Sequence, residues 1–489
     1  MSQFEPVQRV LRLVESAGNK LPHPSLLFIW LCLLIIGLSY VFTFFGVEAT
    51  HPVSKELYQT VNLFSMDGLN RILGSAVSNF TQFAPVGVVL LIMMGVGIAE
   101  HSGLIAAVLK VIVSRSSKSL LAYLIAFAGV MSSLGADVGY VVLIPLAGMI
   151  YHSLNRPALA GIAVAFAGVS AGYSANLFIG PVDLILSSIS TEAAALIDTS
   201  STVAASDNYY FILASTFIIT LTCGWVSNQI IEPHLLLASE PESSSEQRVT
   251  EQTGGGHTAR LASTGWFSAI YVAVLLLLSL FGGFSVLQHL VPLLALYFAL
   301  TGYTFGKSNG AYRSASQAIA GMEQAIGTMA YYIVLMFFAA QFVNYFAWSN
   351  IGVITAIHGA SLLANTELSP MILLPLMVLL SAGINLLIGS ASAKWALLAP
   401  IFIPMLMLIG IPPEQTQVAY RVGDSVTNII TPLMPYFGIV LAYAQRYKTS
   451  LGLGDVIGMM LPYSFSLLLI WGAMIASWIG FELPLGPGL

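Results

Sequence analysis

The chain has 489 residues, 57% of them hydrophobic and 8% charged, with a net charge of −5. Soluble domains carry about 25% charged residues, so this is the composition of an integral membrane protein, and the negative balance argues against a nucleic-acid partner. The apolar runs are long and continuous rather than alternating, which favours helices over a barrel and gives an all-α polytopic membrane protein.

Residues 1–24 place Phe4, Val7, Val10, Leu11, Leu13 and Val14 on a helical stripe with Arg9, Arg12 and Lys20 between them. That is the pattern of an amphipathic helix lying on the membrane, not of a cleavable signal peptide. The first half, 25–236, opens with a span at 25–47, a polar stretch at 48–82, a span at 84–104 and a basic loop with Lys110, Arg115 and Lys118. Residues 119–151 are apolar but break between Met131 and Asp137. Each limb has roughly 12 residues, too short to cross a ~30 Å core, so the segment reads as a re-entrant hairpin, with a single kinked helix as the alternative. Spans at 157–179 and 208–232 complete this half.

Residues 237–265 are polar and read as a flexible cytoplasmic linker. The second half, 266–489, has spans at 266–284, 287–305 and 325–347, a second hairpin at 370–410, and spans at 417–445 and 457–481. The expectation is therefore nine transmembrane helices plus two re-entrant hairpins. With the N-terminus cytoplasmic and the C-terminus periplasmic, Lys55 and Arg71 fall outside and Lys394 and Arg421 fall in the membrane. Every other Lys and Arg is cytoplasmic, as the positive-inside rule requires. An odd number of spans between the hairpins makes the two units inverted repeats.

The repeat is visible in the residues. Gly172, Ser174, Ile179 and Pro181 correspond position for position to Gly423, Ser425, Ile430 and Pro432. Upstream, Leu143 and Pro145 parallel Leu398 and Pro400, while Ser132, Ser133 and Asp137 parallel Ser390, Ser392 and Lys394. Two interrupted hydrophobic segments in corresponding positions of two halves point to the binding site of a secondary transporter; the bland alternative is chance similarity among Gly- and Ser-rich membrane helices. The broken spans are 157–179 and 417–445, with Gly172, Pro181, Pro413, Gly423 and Pro432 as the candidate hinges.

Hairpin tips and half-helix N-termini present free N–H groups that suit a carboxylate, and unwound carbonyls with Asn or Asp oxygens suit a small hard cation. Asn385, Asp424, Ser425 and Thr427, with Asn176 and Asp137, are the candidate ligands for a coupling Na⁺ or a carried H⁺. Trp395, Arg421, Asp183, Tyr140, Ser133, Ser390 and Ser392 are the candidate substrate contacts. Each has a plainer reading: Ser, Thr and Asn also join membrane helices, and Asp424 and Arg421, three apart, also fit a simple intramembrane ion pair. Lys394 also fits a side chain snorkelling to the outer surface. Trp395 and its repeat mate Tyr140 offer one aromatic from each hairpin to sandwich an aryl ring, or pack as core residues.

Other chemistry is poorly supported. Cys32 and Cys223 each lie inside a hydrophobic run, and the eight histidines lack metal-ligand spacing, so neither a disulfide framework nor a cofactor is expected. Between Gly302 and Gly306 there is one residue too few for a phosphate loop, and no strand precedes them. No nucleophile–base pair suggests an enzyme.

The stretches 168–183 (GVSAGYSANLFIGPVD), 337–352 (FFAAQFVNYFAWSNIG), 383–406 (GINLLIGSASAKWALLAPIFIPML) and 420–438 (YRVGDSVTNIITPLMPYFG) resemble the bacterial aminobenzoyl-glutamate transporter family. The architecture is also similar to that of divalent-anion/sodium symporters, although their Ser-Asn-Thr tip motifs are not literal here. The first resemblance implies a homodimer in the bacterial inner membrane, with a scaffold domain and a transport domain in each protomer. It implies transport of p-aminobenzoyl-glutamate and export of p-aminobenzoate and sulfonamide antimetabolites. By matched position it makes Asp183, Asn385, Trp395, Pro413, Arg421 and Asp424 the functional residues. The expected function is cation-coupled secondary transport of such aromatic carboxylates, with a Na⁺-coupled dicarboxylate symporter as the alternative.

Overall fold

Backbone groups in an apolar medium must be satisfied within the protein, and this chain does so almost entirely with helices. The computed structural model describes residues 24–50, 55–108, 120–135, 139–238, 255–282, 289–365, 368–386, 388, 390–431, 434 and 436–487. The amphipathic helix expected over 1–24 (beyond Pro24), the centre of the 237–265 linker, Asp137 and Pro432 lie outside these residues.

Helix α1 covers Pro24–Phe44 and leads into a short antiparallel hairpin, β1 (Glu48–Thr50) with β2 (Leu57–Gln59), in which Ala49 faces Tyr58. Helix α2 (Met66–Thr81) starts at Ser65, whose hydroxyl accepts from the Gly68 amide at 3.0 Å, and α3 runs over Ala84–His101. The first hairpin region holds α4 (Leu121–Met131) and α5 (Ile144–Ser153), joined through a tight turn at Ser132–Gly135 and a widened turn at Gly139–Leu143. Then come α6 (Ala158–Phe166), α7 (Pro181–Ala194), α8 (Tyr209–Val226) and α9 (Glu232–Ala238).

The second half contains α10 (Gly255–Gly282), α11 (Leu290–Asn309), α12 (Ala315–Thr328), α13 (Ala330–Trp348) and α14 (Ile351–Ala364). The second hairpin region is α15 (Pro370–Asn385) and α16 (Ala391–Met407), followed by α17 (Pro413–Thr427), α18 (Phe437–Gln445) and α19 (Leu453–Gly480).

Among the described residues, Ser25–Phe44, Met66–His101, Tyr209–Leu237 and Leu453–Gly480 are long and apolar enough to cross a membrane. The pair Ala315–Gly327 and Tyr332–Trp348, bent by 50°, forms a further candidate span. In the first of the two segments read as broken spans, α6 ends in a widened turn at Ala167–Ala171 before non-helical chain leads to α7; in the second, α17 ends at Thr427 and α18 begins at Phe437. Four helices were not expected from the sequence: α2, α7, α12 and α14. α2 is amphipathic, and its polar side hid it in the 48–82 stretch; Asn79 on that side is buried against Gln341 at 2.8 Å. α7 is rich in Ser and shows little hydrophobic contrast.

A single large apolar cluster joins both halves. In it α16 packs on α7, α15 packs on α17, and α4 packs on the widened turn after α6. The repeat glycines permit the last two contacts. A Cβ on Gly172 would lie 2.6 Å from Val130 of α4, and one on Gly423 would lie 2.7 Å from Ser381 and 3.0 Å from the Ala382 nitrogen of α15. In both repeats, then, the first hairpin limb rests on the broken segment at the same glycine.

Gly423→Ala is expected to destabilise the purified protein by about 1–3 kcal/mol through overpacking against backbone. Gly383→Ala, which meets nothing within 4 Å, is the control and should leave the thermal midpoint unchanged or slightly raised. Equal midpoints for the two variants would show that α15 does not press on Gly423.

Candidate functional site

Helix α17 begins with Pro413, buried as its first residue after Pro412 at the cap, where a missing N–H leaves no helical bond unmade. From there Gln417, Tyr420, Arg421, Asp424, Thr427 and Asn428 recur at three- and four-residue intervals, so one face of a helix buried over nearly its whole length is polar. Its partners come from both repeats.

Arg421 does not pair with Asp424. Its Nη2 donates to Asp183 Oδ1 at 2.6 Å and to the Ser174 carbonyl at 2.9 Å, joining α17 to the first-half break. Asp183 is held in turn: its Oδ2 accepts from the Gly180 amide at 2.7 Å, capping α7, which Pro181 begins. A carboxylate at a helix N-terminus is favoured by the dipole as well as by Arg421. Among the described residues, Arg421 Nε and Nη1 are buried with no hydrogen-bond partner.

Asp424 is fully buried and ion-paired with Lys394 of α16, and its other oxygen accepts from the Tyr173 hydroxyl. The sequence left Lys394 free to snorkel; the structure instead buries it completely, with its ammonium also on Asn385 Oδ1. The Asn385 amide donates to the Asp424 carbonyl at 2.7 Å and to Thr427 Oγ1 and Asn428 Oδ1, each at 2.9 Å. The end of α15 is thereby fastened to the last turn of α17. Ser425 donates to the Arg421 carbonyl at 2.7 Å, within its own helix.

The first repeat has a matching tie. Asn176, the mate of Thr427, donates to Ser133 Oγ at 2.8 Å, fastening the first break to the end of α4. Asn176 and Ser133 thus form a cluster of their own rather than joining Asn385 and Asp424. Ser390 caps α16, accepting from the Ala393 amide at 3.4 Å, with the Ser392 hydroxyl 3.5 Å away.

Trp395 is fully buried and stacks on Tyr420 with centroids 4.4 Å apart and planes 21° from parallel, a contact worth ~0.5–1.5 kcal/mol beyond burial. Its indole N–H donates to Ser190 Oγ at 2.9 Å, and Ser190 lies 2.9 Å from Gln417 Oε1. Tyr140 stacks on Tyr436 at 4.4 Å and 12°. Each hairpin aromatic therefore already has a tyrosine on one face. Tyr173, Tyr420, Ser190 and Gln417 were not singled out in the sequence; Tyr173 was findable, since the repeat aligns it with Asp424.

The sequence signature described as the AbgT putative transporter family matches residues 9–489. The chain is 33% identical over 489 residues to the p-aminobenzoyl-glutamate transport protein of Escherichia coli (strain K12), covering 97% of this chain and 96% of the relative. Two solved structures are similar throughout. The YdaH transporter of Alcanivorax borkumensis has a TM-score of 0.90 at 48% identity, over 95% of this chain and 100% of that one. MtrF of Neisseria gonorrhoeae, described as illuminating a class of antimetabolite efflux pumps, has a TM-score of 0.91 at 40% identity, over 98% and 99%.

Removing one member of a buried pair leaves an uncompensated charge, so Asp183→Asn and Arg421→Gln should each lower stability by about 3–5 kcal/mol. The double variant should lose clearly less than the sum in a denaturation series; strict additivity would mean that the two groups do not act as a pair.

Proposed function

The chain belongs to the AbgT transporter family, and from that premise we propose that it is a cation-coupled secondary transporter of p-aminobenzoyl-glutamate- and p-aminobenzoate-type carboxylates that also exports sulfonamide antimetabolites. The name of the Escherichia coli relative supports the aromatic carboxylate, and the description of MtrF supports efflux. In this reading the chain lies in the bacterial inner membrane as a homodimer, with its N-terminus cytoplasmic and its C-terminus periplasmic. It has nine spans and two re-entrant hairpins, 119–151 and 370–410, and works by alternating access.

The observation that carries the reading is the guanidinium of Arg421. It is held by Asp183 and Ser174 on one nitrogen while two further donors stay buried and unused among the described residues. Buried donors in native structures are nearly always satisfied, and a carboxylate is a natural charge-assisted acceptor for a guanidinium N–H. The Trp395–Tyr420 stack starts one helical position away on α17 and supplies an aromatic wall for the substrate ring. Because Trp395 is closed off in this conformation, the ring extends or replaces that stack as the second hairpin moves. Cation coupling is supported by the oxygens of Asn385, Asp424, Thr427 and Asn428 at the carbonyl end of α17, where the helix dipole favours positive charge.

Purified protein in sealed liposomes, given radiolabelled p-aminobenzoate or a sulfonamide under an imposed Na⁺ gradient and separately under a pH gradient, tests this. Accumulation is expected to follow one of the two gradients. Arg421→Gln should weaken apparent affinity by about 10- to 100-fold, the equivalent of a charge-assisted hydrogen bond of ~1.5–3 kcal/mol. Failure of any aromatic substrate to move, with a dicarboxylate moving instead, would replace the proposal by the dicarboxylate alternative.

A further inference from the structure

Two features of the Asp424 site do not suit a ready-made cation-binding shell. Asp424 Oδ1 and Asn385 Oδ1 both face the Lys394 ammonium, and Asp424 Oδ2 is taken by the Tyr173 hydroxyl. Lys394 is itself in an unfavourable place: it is fully buried and lies in the first turn of α16, at the end where the helix dipole repels a cation. Stability alone does not account for it, since a buried ion pair is often no better than an apolar pair of the same volume.

The other charge in reach, Arg421, sits one turn earlier on α17 and is turned away onto Asp183. The only cation that Asp424 contacts among the described residues is therefore Lys394.

We propose that the Lys394 ammonium is the built-in occupant of the coupling-cation position: it fills the Asn385–Asp424 oxygens, and a cation from solution enters only by displacing it. An ammonium and a small hard cation seek the same oxygen acceptors, so one site holds either but not both. Lys394 would then set how strongly the cation must bind before the second hairpin releases from α17. This rests on the cation-coupled reading above.

Na⁺ alone, without organic substrate, provides the test on the full purified chain. Radiolabelled Na⁺ binding, together with thermal midpoints in NaCl and in choline chloride of equal ionic strength, is compared for the wild type, Lys394→Met, Lys394→Arg and Lys394→Met/Asp424→Asn. Lys394→Met is expected to bind Na⁺ at least tenfold more tightly than the wild type and to gain a Na⁺-specific rise in midpoint. Lys394→Arg, which keeps the charge in place, and the double variant, which removes the carboxylate, should show neither. Equal Na⁺ affinity in Lys394→Met and wild type, or a Na⁺ effect surviving in the double variant, would overturn the proposal.

Lysine acylation of the wild type, read by mass spectrometry, gives a second route should Lys394→Met not survive purification. Lys394 should be protected in choline and label faster as Na⁺ is raised; labelling that ignores Na⁺ would also overturn it. Because no aromatic carboxylate is present, these results stand or fall separately from the substrate assignment.

Discussion

Holding charge where water is scarce is the constraint on which this site depends. Asp183, Arg421, Lys394 and Asp424 are each almost completely buried, and each would be intolerably exposed to desolvation without its partner. The partners never come from the same element: Asp183 opens α7, Lys394 opens α16, and the two facing charges sit one turn apart on α17. Any movement that separates α16 or α7 from α17 must therefore present an alternative counter-charge.

The sequence repeat explains how one short helix can gather so many partners. Each repeat supplies a hairpin end, a broken helix and a glycine on which the hairpin rests, with Val130 over Gly172 and Ser381 over Gly423. Each also supplies a polar tie between hairpin and break, Ser133 with Asn176 in one and Asn385 with Thr427 in the other. The halves meet where equivalent positions touch: Tyr173 and Asp424, which the repeat aligns, are hydrogen-bonded to each other. The symmetry is in the scaffold and is broken in the chemistry, since one half brings a phenol and the other a carboxylate.

Much of this was legible in the sequence because the signals were local. The broken segments announced themselves through Gly172, Pro181, Gly423 and the polar residues beside them, and polar groups inside apolar runs marked the site. What was not legible depends on which helix lies against which. The three-residue spacing of Arg421 and Asp424 suggested that they pair, yet each reaches across to another helix. Snorkelling was a reasonable reading of Lys394 from its flexible stem alone, but the packing of α16 leaves it no route to water. The stacks of Trp395 on Tyr420 and Tyr140 on Tyr436 are likewise tertiary facts. Helices such as α2 and α7 were missed because helical amphipathicity and serine content make a membrane-associated helix look like a loop when only hydrophobic runs are sought.

The central claim is that an unpartnered N–H of Arg421 receives the carboxylate of an aromatic substrate. The most direct measurement is a structure with 3-iodo-4-aminobenzoate bound, the iodine located by its anomalous signal. The expected result is the carboxylate on Arg421 Nε or Nη1, with the iodinated ring against Trp395 or Tyr420. Iodine elsewhere in the protein, with those two nitrogens bonded to something other than the ligand, would contradict it.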